Sequence, residues 1–410
     1  MQNVVFDEPY EFVSPYRGTS VSWAVGKFVP RLLRTKYGVM SWKTHGLDLL
    51  RESLKAKYGI ILCPNHSRNS DPLLSGVIVT ETPAHAYAMA SWHVFKQHWL
   101  ETLVCRGIGG FSIYREGLDR KALDLAVEVV STAERPLLIF PEGVISAAND
   151  RLMPLMDGVS FVANTAAKRR AKIQPDSKVV IHPVAYKYEH LSDPETSLSP
   201  VLSRLEQQLF WRDNKHQPVR ERINLLREAM QSLREIQVLG FAKTGNVEER
   251  IAELANHILQ KHEQEWLGKT RTGDVIVRVK DIRIAVVTEM AKSKLDEAER
   301  QRRWRVLTDV YYVQCMSLHV RGYLDEGAAG DRYHHRLFET VERMEEELTD
   351  KVTLYHDLHV TLTVGEPIEV DPTAKKPRGS NPLMEELRRR MTKLLGIEDH
   401  WPPEPVVSQV

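Results

Sequence analysis

The chain has 410 residues, 42% hydrophobic and 27% charged, close to soluble globular averages. At ~150 residues per domain this predicts two to three domains, with enough chain to bury a sizeable core. Lys plus Arg number 56 and Asp plus Glu 55, a net +1, which excludes the strong field of a nucleic-acid binder. The three cysteines, Cys63, Cys105 and Cys315, form no C-x-x-C pair, so a reducing compartment is expected rather than a disulfide or zinc framework.

Residues 1–20 read as an irregular N-terminal arm. Asp7, Glu8 and Glu11 stand where a signal peptide needs a basic start and an apolar run, so a cytoplasmic location is expected. In Val21–Tyr37, Trp23, Phe28, Leu32 and Leu33 alternate with Lys27, Arg31, Arg34 and Lys36. That is a basic amphipathic helix able to lie in a lipid interface, kinked or split at Pro30.

Tyr58–Cys63 then reads as a buried strand, and Asp71–Pro72 opens a helix with Asp71 as N-cap and Pro72 at N1. Leu118–Glu134 is a helix by its apolar spacing, Pro136–Phe140 a strand, Gly158–Arg170 a helix and Lys178–Tyr188 a strand. Leu191–Pro200 reads as a loop. From Val201 to about Asp350 helix signals dominate, including a capping box at Asn246 and Glu249. Leu358–Val370 returns to strand texture, Asn381–Leu395 is a last helix, and Trp401–Val410 reads as a disordered tail. No fixed-period repeat stands out. No segment approaches the ~18 apolar residues of a membrane span.

The segment richest in chemistry is Asn65-His66-Ser67-Arg68-Asn69-Ser70-Asp71. On one continuous helix, residues five apart would point about 140° away from each other. In a loop leading into a helix, His66 and Asp71 can meet, at a strand's exit where α/β sheets carry their sites. A carboxylate on one imidazole nitrogen fixes the tautomer and leaves the other nitrogen free as a base. Two further blocks follow. Gly109–Gly117 sets Arg115, a fork suited to phosphate, among glycines and apolar residues. Phe140-Pro141-Glu142-Gly143 closes the second strand.

Four blocks in this order, NHSRNSD, GGFSIYREG, FPEG and IHPVAYKY, resemble those of the glycerolipid acyltransferases typified by 1-acylglycerol-3-phosphate acyltransferase. Arg151–Val159 resembles that family's link from its third block into a helix. The resemblance implies an α/β fold, a glycerol-phosphate acyltransferase-like sheet flanked by helices. It implies that His66 activates the acceptor hydroxyl, Asp71 orients His66 and Arg115 holds the acceptor phosphate. Glu142 and Gly143 would shape the acceptor pocket, and Asn65, Arg68 and Gly110 are counted with the substrate-binding residues. No metal and no cofactor is expected; an acyl-coenzyme A or acyl carrier protein thioester is the co-substrate. The sequence departs from the family's pattern at Arg68, Val144 and Ile145, where Ser, Thr and Arg are frequent. Arg68 is expected to stand in for the lost positive charge.

In the family, a G-E-P-I strand and a final helix follow soon after the fourth block, whereas Gly365-Glu366-Pro367-Ile368 comes only after a long helical stretch. The expected organisation is an arm at 1–20, a core at 21–195, a helical insertion at 196–350, the core's last strand and helix at 351–398, and a tail at 399–410. The expected partners are the thioester donor, a glycerol phosphate lipid acceptor and a membrane surface, with no nucleic acid. The expected reaction converts 1-acylglycerol 3-phosphate to phosphatidic acid at the cytoplasmic membrane face. The alternatives are another acceptor (glycerol 3-phosphate or another lysolipid), an inert membrane-binding scaffold, or a thioesterase. G-x-S-x-G and P-loop patterns are absent from the sequence, and the paired histidines His93/His98 and His257/His262 have the wrong spacing for a helical metal site.

Overall fold

The computed structural model describes residues 8–211, 214–292, 295–325, 330–374 and 381–397. They form two compact units, Tyr10–Glu189 with Leu354–Asp399, and a second built on His190–Thr353. The tail at 401–410 and the first seven residues of the arm lie outside the described residues.

The first unit is an eight-stranded sheet covered by helices. Its strands are β1 (Val39–His45), β2 (Gly59–Pro64), β3 (Tyr87–Ser91), β4 (Gly110–Ile113), β5 (Leu137–Leu138), β6 (Val179–His190), β7 (Leu358–Val364) and β8 (Ile368–Glu369). The order is β1-β7-β6-β2-β5-β3-β4, with β8 pairing β6 antiparallel. Strands β6, β2, β5, β3 and β4 run parallel, so their carboxyl ends share one edge. β2 is buried at all six positions, the pattern of a parallel strand covered on both faces. One apolar layer joins Ile61, Val130, Val162, Ile181 and Leu387. The opposite layer joins Leu33, Leu74, Tyr186, Val360 and Leu362.

The helices of this unit are α1 (Ser20–Gly26), α2 (Val29–Tyr37), α3 (Leu47–Lys55), α4 (Asp71–Glu81), α5 (Trp99–Gly107), α6 (Arg120–Thr132) and α7 (Gly158–Ile173). The expected amphipathic helix at 21–37 is two helices, α1 and α2. Pro30 falls in the first turn of α2, where a missing N–H is harmless. The arm is not loose from Tyr10 onward. The Ser112 N–H donates to the Val13 carbonyl at 3.0 Å and the Val13 N–H to Ser112 Oγ at 2.8 Å. Tyr10 stacks on Tyr114. Strand β4 is an edge, and the arm satisfies groups that would otherwise be open to another chain.

In the second unit, the segment expected to be a loop, Leu191–Pro200, is mostly helix. Asp193 caps it through the Thr196 N–H, and α8 runs Pro194–Phe210, carrying Pro200 inside. It is followed by α9 (Val219–Leu239), α10 (Val247–Leu267), α11 (Val275–Lys292), α12 (Glu297–Met316) and α13 (Tyr333–Thr349). After this unit the chain returns to the sheet at β7, which pairs β1, and ends its described course in α14 (Pro382–Leu395). Among the described residues no helix is long and apolar enough to cross a membrane.

The expectation of no repeat is overturned here. The pattern V-x-x-R-[IV] begins at Val219, Val247 and Val275, 28 residues apart each time. Its arginines, Arg222, Arg250 and Arg278, pair with Glu206, Glu235 and Glu263 near the end of the preceding helix. All three carboxylates are fully buried, and each also accepts a loop N–H eight residues on, from Asn214, Lys243 and Arg271. Each helix stops at a left-handed residue five positions after its glutamate: Trp211, Gly240 or Gly268. Burial alone would raise the Glu235 carboxyl, but Arg250, Gln231 and the Lys243 N–H bring it down to about 2. An extra residue between Glu206 and Arg222 breaks the period, and the shared positions are too few to show as self-similarity.

Candidate active site

The site is built where β2 ends beside the longer β6. Beyond Pro64 the sheet continues through a side chain. Asn65 Nδ2 donates to the Tyr186 carbonyl at 3.0 Å, and the Tyr186 N–H donates to Asn65 Oδ1 at 2.7 Å. Asn149 repeats the device two residues further, with bonds of 2.7 and 3.0 Å to the Tyr188 backbone. These amides mimic a neighbouring strand, so β6 runs on to His190, two residues past the end expected at Tyr188. Asn65 is buried and its amide is engaged by backbone, so it holds the frame.

His66 and Asp71 meet. His66 Nδ1 lies 2.8 Å from Asp71 Oδ2, and the Arg68 N–H donates to the same oxygen at 2.9 Å. The Tyr188 hydroxyl donates to Asp71 Oδ1, and Ser70 Oγ lies 2.7 Å from that hydroxyl. Asp71 is fully buried, with three donors on its two oxygens. Burial and the neighbouring Asp71 push the Tyr188 hydroxyl well above its usual range, so it stays a donor. Asp71 is not the N-cap expected from sequence. It is the first residue of α4, and its carboxylate turns back onto the 66–68 loop, leaving the cap position to Ser70. With Nδ1 committed to Asp71, Nε2 has no hydrogen-bond partner among the described residues, and the imidazole keeps 15% of its side-chain surface open.

The FPEG loop fixes His66 from the other side. Phe140 stacks on the imidazole at 4.2 Å between centroids. The His66 N–H donates to Glu142 Oε1 at 2.6 Å, and its carbonyl accepts the Ser146 N–H at 2.7 Å. The other Glu142 oxygen accepts the Met153 N–H at 2.7 Å. Burial lifts the Glu142 carboxyl from 4.5 to about 8, against the pull of these two N–H donors. Glu142 is therefore a strut between two loops, with both oxygens on backbone amides. Gly143 turns with φ +67, and a Cβ there would lie 2.5 Å from Met156 Sδ.

Arg68 lies with its guanidinium 5.3 Å from the Tyr188 ring centroid. Arg115 follows β4 on the same edge of the sheet, in a loop tied down by Asp119, which accepts the Tyr114 N–H and the α6 N–H of Ala122, each at 3.0 Å. Three strand spacings separate β4 from β2, about 14 Å at ~4.8 Å each. Gly110 is not at the site. It opens β4 at the opposite edge, and a Cβ there would lie 2.5 Å from Cys105 Sγ, so it is small to let α5 pack. Tyr188, Asn149 and Ser70 were missed from sequence. Tyr186 and Tyr188, two apart on one face of a buried strand, were the available signal, because buried tyrosine hydroxyls need partners.

A buried carboxylate, an oriented imidazole and a cation thus share one edge of the sheet. Residues 43–187 match the acyltransferase family model. The chain thus carries an acyltransferase domain of the 1-acylglycerol-3-phosphate acyltransferase type, spanning β1 to the second half of β6. A comparison with curated proteins finds no match.

Proposed function

We propose that the protein transfers a fatty acyl group from a thioester to the free hydroxyl of 1-acylglycerol 3-phosphate, giving phosphatidic acid. The observation that carries this reading is the His66–Asp71 pair, with Nε2 unpartnered among the described residues and the ring held by Phe140 and Glu142. His66 Nε2 takes the proton as the acceptor oxygen attacks the thioester carbonyl. The tetrahedral intermediate expels the thiolate, which takes that proton back from His66. Asp71 holds the imidazole and balances its charge while protonated; such general-base help is worth ~10²–10⁴ in rate. Arg115, on the same edge, binds the acceptor phosphate, with Arg68 as a nearer cation. The donor is an acyl-coenzyme A or acyl carrier protein thioester.

The enzyme works at a membrane surface as a peripheral protein, a reading supported by the exposed cations of α2, Arg31, Arg34 and Lys36. The return of the chain to pair β7 with β1 supports reading residues 196–350 as an insertion within this fold.

The test is acyl transfer from labelled acyl-coenzyme A with and without lysophosphatidic acid, beside His66→Ala. Labelled phosphatidic acid that falls ~10²–10⁴-fold in the variant is expected. Full activity in the variant defeats the reading, and fatty acid released without acceptor indicates hydrolysis.

A further inference from the structure

Helix α5 is unusual among the helices covering the sheet. Its only buried residue is Gly107. Trp99 is 72% exposed and Leu103 58%, with Leu100 and Val104 also exposed. Helix α1 packs directly against its end, since a Cβ on Gly107 would lie 2.6 Å from Val21 Cγ1. Trp23 in α1 and Phe28 just after it are each 59% exposed. Single exposed apolar residues are ordinary, but Trp99, Leu100, Leu103 and Val104 recur at i, i+1, i+4 and i+5 on one side of one helix, and such a grouped face marks an interaction surface.

The charge around this face selects its occupant. Lys27, Arg31, Arg34, Lys36, Lys96 and Arg106 are all exposed, and Glu101 is the one acidic residue across the stretches 20–37 and 96–107. The Lys27 ammonium lies 3.5 Å from the Trp23 ring centroid, its charge at the rim of the apolar surface. Tryptophan and leucine flanked by cations suit an anionic lipid surface, where rings enter the headgroup boundary and cations meet phosphates.

Topology gives the face a direction. Helix α5 connects the parallel neighbours β3 and β4, so it runs back along the sheet, opposite to both. Its first turn, with Trp99 and Leu100, therefore lies at the carboxyl edge of the strands. His66 follows β2, and Arg115 follows β4, at that same edge.

We propose that α5, together with α1, is the face on which this protein docks to anionic phospholipid, and that docking sets the mouth of the His66 site against the headgroups. The orientation rests on the reading of the acceptor as a membrane lipid; the docking face does not. A lipid acceptor reaches His66 along the α5 edge without leaving the interface.

The test uses the full-length protein with phosphatidylcholine vesicles, with and without phosphatidylglycerol, beside a Trp99→Glu/Leu103→Glu variant. Both side chains are exposed, so an unchanged circular dichroism spectrum and Tm are expected. Wild type should bind the phosphatidylglycerol vesicles, and the variant about tenfold or more weaker. With a short-chain, water-soluble lysophosphatidic acid the variant should keep wild-type turnover. With long-chain acceptor in vesicles it should lose activity in step with binding. Equal vesicle binding by both proteins, or none by wild type, overturns the proposal while leaving turnover of the soluble acceptor untouched. Lost binding in the variant with no turnover by wild type on any acceptor upholds the face and overturns the acyl-transfer reading. Substitutions that dissolve an oligomer without altering vesicle binding assign the face to a second copy and overturn the proposal.

Discussion

Tyr188→Phe removes a single oxygen, the partner of Asp71 Oδ1 and of Ser70 Oγ. Asp71 is fully buried, and its Oδ1 receives its hydrogen bond from the Tyr188 hydroxyl, while the His66 and Arg68 donors both sit on Oδ2. A hydrogen bond to a charged group contributes ~1.5–3 kcal/mol, and a buried acceptor left without one loses ~1–3 kcal/mol. The phenylalanine ring fills the same space, and the Asn149 bonds that hold the residue 188 backbone are unaffected. The expected result is a loss of ~1.5–2 kcal/mol in urea unfolding and about a tenfold fall in kcat, with KM for the acyl donor unchanged. The decisive assay is a double-mutant cycle. In an Asp71→Asn background the amide nitrogen can face residue 188 and the buried charge is gone, so Tyr188→Phe should matter much less. A coupling of ~1.5 kcal/mol or more is expected in both kcat and stability. Single and double effects that add within ~0.5 kcal/mol would refute the idea that Tyr188 acts through Asp71.

Other perturbations test separate parts of the structure. Glu142 is lifted by burial to about 8, so the folded state holds a proton that the unfolded chain releases near 4.5. The stability this contributes is present below pH 4.5 and lost as pH rises through 8. Wild type should therefore lose more stability than Glu142→Gln between pH 5 and pH 8.5, by at most ~4 kcal/mol at 1.36 kcal/mol per unit; identical slopes in urea titrations at several pH values would contradict this. Arg115→Ala should raise KM for a phosphate-bearing acceptor about 10–100-fold and leave a neutral acceptor within about twofold, as loss of a charge-assisted fork predicts. In the helical unit, Arg250→Ala strands the buried Glu235 carboxylate, and thermal unfolding should report a loss of ~3–5 kcal/mol. Replacing both, Glu235→Leu with Arg250→Met, should restore much of it, and a single variant as stable as wild type would remove the pair from the account.

Much of the frame is written in local pattern. A continuous apolar run bounded by glycine and proline makes β2, and helical spacing makes α6 and α7. The alternating run at Leu358 makes β7, buried at every second residue. The elements left unassigned have ambiguous texture. Strand β1 (VMSWKTH) buries only its first residue, and α5 is a nine-residue helix whose apolar side points outward. At Pro194 two prolines and a run of polar residues read as a loop, yet Asp193 caps a helix and proline at its first position removes no hydrogen bond.

That His66 and Asp71 can pair is legible in the sequence, because residues five apart in a loop leading into a helix can meet. What holds the pair does not follow. Tyr188 lies 117 positions from Asp71 and Glu142 lies 76 from His66, and only parallel pairing of β2 with its neighbours brings them within hydrogen-bond reach. The same distinction separates the other residues. Gly110 reads like a ligand loop from its neighbours, but the sheet sets it at the far end of β4, under α5. The 28-residue pattern emerges once three buried ion pairs are superimposed, since a handful of shared positions specifies the helix ends while the remaining residues answer only to burial. Local chemistry determined which groups this chain can use; which of them face a ligand and which brace the frame depended on the long-range register of the sheet, a cooperative property that no single segment encodes.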